Sequence, residues 1–461
     1  MLIKKRSQWG RFLNKTLIKM MVLSSLTLGL VGCGVRGQDN TSSENVGNAN
    51  AETKQEDGGE DTSEVGMEKV NSTDITMVNC KQDINTNTSD KINGFSFEMY
   101  GNLQSDNNFF ASPLSVYTAL AILDNGATND GKAEIEKALG ITDIAETNEQ
   151  LNSLMNILAE DEDDINISNS LWLDESYNFT DEAKTSFIES SKKYYNADSF
   201  SVNFTREDTY KKINEWVSNS TNGMIDPFIK DTKSAAQDGG ASLLKIINAV
   251  YFDGKWENSF PSENTYESKF NGVAGTTNID MMSLTNTYVK YIIQDGLMAA
   301  SLPYKGNTMM DIIMSEDSST TVNEVFSKLS TEEKSNFIKS LSETEAKELT
   351  QFAMPKFEYE TEMYDLIPIL RNMGINSIFD SGNCLQKISN DIVVDSLNHK
   401  AKIEVTEEGT KAAAVTEVGV SRMSILKDEI THFIVDRPFI FIIRDSNTNT
   451  ILFIGEMNNL G

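Results

Sequence analysis

The chain has 461 residues, 69 of them Asp or Glu against 40 Lys or Arg, for a formal net charge of −29. That balance argues against nucleic acids and polyanionic glycans as partners, because phosphate or sulfate binding draws on clustered Lys and Arg and no basic patch is visible. His399 and His432 are the only histidines, and the cysteines are Cys33, Cys80 and Cys384. No Cys/His spacing suits a structural zinc, no disulfide framework is in use, and neither histidine follows a nucleophile-elbow pattern. No metal, cofactor or catalytic triad is expected.

The first residues carry Lys4, Lys5, Arg6, Arg11, Lys15 and Lys19, followed by the apolar run MMVLSSLTLGLVG and then Cys33. A basic stretch ahead of an apolar run too short to remain as a spanning helix reads as a signal peptide over residues 1–32. Leu30, Val31, Gly32 and Cys33 match the bacterial lipoprotein cleavage pattern, in which the Cys thiol takes a diacylglyceryl group. One acyl chain holds a membrane only weakly, at roughly 10⁴ M⁻¹, whereas a second such as palmitate anchors stably. Cys33 is therefore expected to fix the protein to the extracytoplasmic face of the cell membrane.

From Gly34 to Val70 the chain is Asn, Ser, Gly, Thr and acid, with nine Asp or Glu against three Lys or Arg. Such a segment cannot bury enough apolar surface to offset its ordering entropy. Residues 33–88 read as a lipid-anchored acidic linker with a reach of roughly 40 Å. A Cys80–Cys384 bridge is open to an extracellular chain, but Cys80 falls in this linker and two unpaired thiols are expected.

Residues 89–461 read as one domain. Phe95, Phe97, Met99, Tyr100 and Leu103 have helical spacing, as do Val116, Leu120, Ile122 and Leu123 after the start signal Ser112-Pro113. SNSLWL (Ser168–Leu173) reads as a strand, DEAKTSFIESSKKYY as an amphipathic helix, and YKKINEWVSNSTNG as a helix ended by Gly223. LLKIINAVYFDGKW (Leu243–Trp256) has the near-continuous apolarity of a central strand. TYVKYIIQ, LMAASLPY and MMDIIMS read as further strands, and Val322–Leu329 and Thr331–Leu341 as helices. HKAKIEV opens at His399 as a strand, passes into EEGTKAAAVT, and strand character returns at His432. The layout is mixed α+β with a large sheet.

These residues resemble the serpin family from about Ile92 to the C-terminus. NNFFASPLSV, NAVYFDGKWENSF, LPYKGNTMMDIIM, MPKF, HKAKIEVTEEGTKAAA and DRPFIFIIRDSNTNTILFIGEM are each similar to a family block, and all six stand in family order. The resemblance implies a large central mixed β-sheet with two smaller sheets, about eight or nine helices and an exposed reactive-centre loop. A protease cuts that loop, and the freed segment enters the central sheet as a new strand, carrying the acyl-linked protease with it.

The resemblance assigns the hinge to Glu407, Glu408, Gly409, Thr410, Ala412, Ala413 and Ala414. It assigns the shutter beneath the sheet to Ser112, Ser115, Asn248 and His399, and the breach at its top to Trp256, Lys356 and Glu407, with Lys356 and Glu407 as an ion pair. The family count from Glu407 places the reactive bond at Met423–Ser424, and a loop one residue shorter would place it at Arg422–Met423. Met423 suits the apolar pockets of elastase-, chymotrypsin- or subtilisin-like serine proteases, and Arg422 a trypsin-like pocket.

Strand side chains alternate faces, so an inserted loop would show Thr410, Ala412, Ala414, Thr416, Val418 and Val420 on one side. Lys411, Ala413, Val415, Glu417 and Gly419 would lie on the other. The first face carries no charge and no Pro, either of which would oppose entry by desolvation or by a missing ladder donor. The expectation is a monomeric suicide-substrate inhibitor of serine proteases, not an enzyme. The alternative is a surface-binding lipoprotein that keeps the fold without inhibiting.

Overall fold

The computed structural model describes residues 68–69, 77–80, 82–103, 107–161, 164–176, 179–410 and 431–461. Cys33 and the whole stretch 411–430 lie outside the described residues. That stretch holds Ala412, Ala413, Ala414, Arg422, Met423 and Ser424.

A two-residue strand, β1 (Glu68–Lys69), precedes α1 (Thr86–Leu103), β2 (Phe109–Ala111) and α2 (Pro113–Gly126). Ser112 caps α2 by accepting the Ser115 N–H, with Pro113 in the first turn. Next come α3 (Asn129–Leu139), α4 (Ile144–Ala159), β3 (Asp164–Asp174) and a π-helical turn, Ala183–Phe187, that runs into α5 (Ile188–Tyr195). β4 (Asp198–Val202), α6 (Glu207–Ser220) and α7 (Thr232–Asp238) lead to β5 (Leu244–Lys255). β6 (Tyr266–Gly272), β7 (Gly275–Gln294), β8 (Leu297–Pro303) and β9 (Thr308–Ser315) are followed by α8 (Val322–Phe326) and α9 (Thr331–Glu343). β10 (Ala346–Pro355), β11 (Phe357–Glu360), β12 (Tyr364–Asp365), α10 (Ile367–Asn372) and α11 (Ser377–Asp380) come next. β13 (Asn398–His399), β14 (Lys402–Val405) and β15 (Gly409–Thr410) precede the undescribed stretch, and β16 (His432–Ile434), β17 (Phe439–Asp445) and β18 (Ile451–Met457) follow it.

The large sheet has seven strands in the order β1-β4-β3-β5-β15-β14-β11. β3 and β4 run parallel and the other neighbours antiparallel, which makes the sheet mixed. A second sheet of nine strands runs β16-β10-β7-β8-β9-β17-β18-β2, with β6 also paired to β7; the long β7 joins its two parts, pairing with β6 and β10 along residues 275–290 and with β8 along 290–294. A further ladder joins β12 to β13. Among the described residues there are 11 α-helices, 8 of them long.

Period-2 alternation along β5 fixes what lies above and below the large sheet. Leu244, Ile246, Val250 and Phe252 pack into the main core, which includes α2. Ile247 and Ala249 pack on the other face with Trp172, Phe204 and the α6 residues Tyr210, Ile213 and Val217.

The folded unit reaches further toward the N-terminus than the expected start at residue 89. The Asn85 side chain accepts the Thr88 N–H at 2.7 Å and opens α1 at Thr86, and β1 extends the large sheet at its β4 edge. Cys80, expected in the linker, is held on α4: its N–H donates to Asn152 Oδ1 at 3.0 Å. This segment is bound by hydrogen bonds to Asn152 and Gln150, with Ile84 as a single apolar contact to the core among the described residues, so hydrophobic patterning does not reveal it. Cys80 and Cys384 are both free thiols.

Candidate functional site

Of the residues assigned to the hinge, Glu407 and Glu408 lie in the turn of a tight hairpin and Gly409 and Thr410 form its second strand. After β14, Thr406 N–H donates to Gly409 O at 2.9 Å and Gly409 N–H returns to Thr406 O at 3.4 Å. β15 then runs into the large sheet, with Gly409 opposite Lys255, and Thr410 opposite Gly254 on one side and Val405 on the other. Gly409 is required here by close approach: a Cβ would lie 2.2 Å from the Gly254 carbonyl oxygen and 2.8 Å from Lys255 Cα. Thr410 is only 2% exposed, and its hydroxyl lies 2.7 Å from that of Tyr304.

Trp256 and Lys356, assigned with Glu407 to the breach, bind this hairpin. Trp256 N–H donates to Glu408 O at 3.0 Å, its indole N–H donates to Thr406 O at 3.0 Å, and its ring stacks on Tyr304 with centroids 4.4 Å apart. Lys356 Nζ lies 3.1 Å from Glu407 Oε2, while Thr265 Oγ1 donates to Glu407 Oε1 at 3.0 Å. Burial by itself would raise the Glu407 pKa. Hydrogen bonds from its own backbone N–H, Lys356 and Thr265 outweigh burial and hold the carboxyl below its ordinary value.

The residues assigned to the shutter form one hydrogen-bonded string between α2 and the sheet. Ser112 N–H donates to His399 Nε2 at 3.1 Å, and Ser112 Oγ donates to Leu452 O at 2.8 Å. Ser115 N–H donates to Ser112 Oγ at 3.3 Å, and Ser115 Oγ donates to Asn248 Oδ1. Asn248 Nδ2 continues to Asn169 Oδ1 at 2.6 Å, and Asn169 Nδ2 to Tyr195 O at 2.9 Å. Because His399 Nε2 accepts a hydrogen bond, the ring proton belongs on Nδ1. Burial pushes the imidazole pKa down to about 4.

Ser112, Ser115, Asn248 and His399 are thus brought together, as are Trp256, Lys356, Glu407, Glu408, Gly409 and Thr410. Three members of these networks were not anticipated from sequence: Asn169, Tyr304 and Thr265. Asn169 had a usable signal, an amide in the otherwise apolar strand SNSLWL. Tyr304 ends the strand run LMAASLPY in a β-bridge to Trp256 and Thr265 lies in a loop, and the approach of both to Thr410 and Glu407 is set by tertiary packing.

Below Thr410 the large sheet is incomplete among the described residues. Among the described residues β5 pairs with β3 along one edge, and along the other with β15 alone. At the lower end of that edge lies an apolar recess lined by Leu123, Leu244, Ile246, Leu385, Ile392 and Leu397.

The sequence model of one protein family, Serpin (serine protease inhibitor), matches residues 90–460. The chain belongs to the serpin family. It is 30% identical over 393 residues to human Serpin B4, covering 79% of this chain and 97% of that one. It is 31% identical over 387 residues to the leukocyte elastase inhibitor of Sus scrofa, covering 79% and 97%. The structure of a thermophilic serpin, tengpin, in the native state is similar with a TM-score of 0.75 and 28% identity, covering 86% of this chain and all of that one.

Proposed function

We propose that the protein inhibits serine proteases as a suicide substrate: the protease cleaves the loop, and the freed segment inserts between β5 and β14 while still acyl-linked to the enzyme. The observation that carries this reading is β15. The first two residues of a new central strand are already seated, with Thr410 buried, above a stretch of β5 edge that has no partner strand among the described residues.

The register of that start supports the rest. Thr410 stands opposite Gly254 in an antiparallel pair, so Ala412, Ala414 and Thr416 would fall opposite Phe252, Val250 and Asn248 on the core side. Val418 and Val420 would fall opposite Ile246 and Leu244, two residues lining the apolar recess. About ten new ladder hydrogen bonds at ~1 kcal/mol each, with burial of the valines, favour the inserted form by on the order of 10 kcal/mol. The uninserted form is then held kinetically.

Met423–Ser424 is the reactive bond in this reading, with Arg422–Met423 as the second choice. The relative named leukocyte elastase inhibitor fits a Met423 specificity for elastase-like enzymes. The protein acts as a monomer anchored through Cys33 on the outer face of the membrane. Among the described residues no helix is long and apolar enough to cross a membrane. Incubation with serine proteases that accept Met or Arg, followed by sequencing of the released fragment, tests this function. A detergent-stable complex and a fragment starting at Ser424 or Met423 are expected; cleavage outside residues 421–425 would sink both bond assignments.

A further inference from the structure

The lower end of the β5 edge is bridged by side chains from the segment that leads into β13. Ser242 Oγ donates to Asp395 Oδ2 at 2.6 Å, and Lys245 Nζ donates to Ser396 Oγ at 3.0 Å. Ser396 Oγ also lies 3.4 Å from Asp395 Oδ1, which joins the two contacts into one cluster. Ser242 is buried, and the Lys245 ammonium lies 5.5 Å from the centre of the Phe204 ring. None of these four residues belongs to the hinge, shutter or breach.

We propose that Ser242, Lys245, Asp395 and Ser396 form a clasp across the base of the slot, which must part before the last residues of the loop can seat. The inference rests on the insertion reading. Continuing the register from Thr410 opposite Gly254, Gly419 arrives opposite Lys245 and Val420 opposite Leu244. A strand entering there moves its two neighbours apart by one further inter-strand spacing, roughly 4.8 Å. Contacts made at hydrogen-bond distance across one gap cannot persist across two. The clasp therefore leaves the upper part of insertion untouched and resists its final step, the one that completes protease displacement. The shutter differs in geometry: its serines reach up from α2 beneath the sheet, whereas the clasp ties the two flanks of the slot to each other.

Two synthetic peptides separate the contributions. One copies residues 410–420 and reaches the clasp; the other copies residues 410–416 and stops above it. Their annealing into the full-length protein is followed by native gel shift. In the double variant Ser242→Ala/Ser396→Ala the long peptide is expected to anneal roughly five- to tenfold faster than in the unaltered protein, the effect of losing one or two hydrogen bonds. The short peptide is expected to anneal at an unchanged rate. Lys245→Met, which keeps an apolar stem over Phe204 and removes the donor, should reproduce the effect and guards against a folding defect in the double variant. An unchanged rate for the long peptide, or equal acceleration of both peptides, overturns the clasp. Failure of both peptides to enter the unaltered protein would instead overturn the insertion reading.

Discussion

Thr410→Arg puts a charge at the first side chain to enter the sheet. Thr410 is buried between Gly254 and Val405, and its hydroxyl lies 2.7 Å from that of Tyr304. A guanidinium seated there would be an unpaired buried charge costing several kcal/mol, and the hydrogen bond between Thr410 and Tyr304 would be lost at about 1 kcal/mol. If ~3–4 kcal/mol of this appears in the barrier to insertion, that step slows by about 10²- to 10³-fold. Deacylation then outruns insertion and the protease leaves with its active site intact. The native fold has an easy alternative, since the hinge can withdraw and sacrifice only β15 and one hydroxyl contact, so Tm should fall by no more than a few degrees. The assay is a titration of protease against variant, read by denaturing gel. The variant is expected as a cleaved monomer with no covalent complex. One-to-one formation of a detergent-stable complex by Thr410→Arg would refute the reasoning.

Gly409→Val places a Cβ 2.2 Å from the Gly254 carbonyl oxygen, so β15 should leave the sheet; faster cleavage of the hinge in limited proteolysis checks this. His399 has a pKa of about 4 in the fold against an ordinary 6.5, so the unfolded chain binds the proton more readily. Its contribution to native stability is complete above pH 6.5 and falls as pH drops toward 4, by up to about 3 kcal/mol. Denaturant midpoints at pH 7 and 4.5 should therefore differ more for the unaltered protein than for His399→Gln, which cannot titrate; equal differences would contradict the assignment. Cys33→Ser should move the protein from the membrane fraction to the soluble fraction, and retention on the membrane would contradict lipid attachment.

Much of this fold is written locally. Ser112-Pro113 gives the start of α2, and the apolar run from Leu243 gives a central strand because β5 has packing on both faces. Other elements escape such reading. α3 carries few apolar residues, and α4 adds to its core leucines Leu151, Leu154 and Leu158 the amides Asn148, Asn152 and Asn156, whose partners come from distant segments. β7 is one 20-residue strand in which only the second half has a clear pattern, because its first residues, 275–280, are mostly exposed beside β6 and the next four, 281–284, are all buried. At the site, the blocks around Asn248, Trp256, Lys356, His399 and Glu407 are legible by family resemblance. The contacts that give them meaning are not, since Trp256 reaches Thr406 across 150 residues and Ser112 reaches His399 across 287.

The most direct test of the central claim is the melting temperature of the protein before and after a single cut in the reactive loop. Insertion worth on the order of 10 kcal/mol should raise Tm by more than about 10 °C in a domain of this size. A cleaved loop that leaves Tm unchanged would show that residues 411–420 do not complete the strand that Gly409 and Thr410 begin.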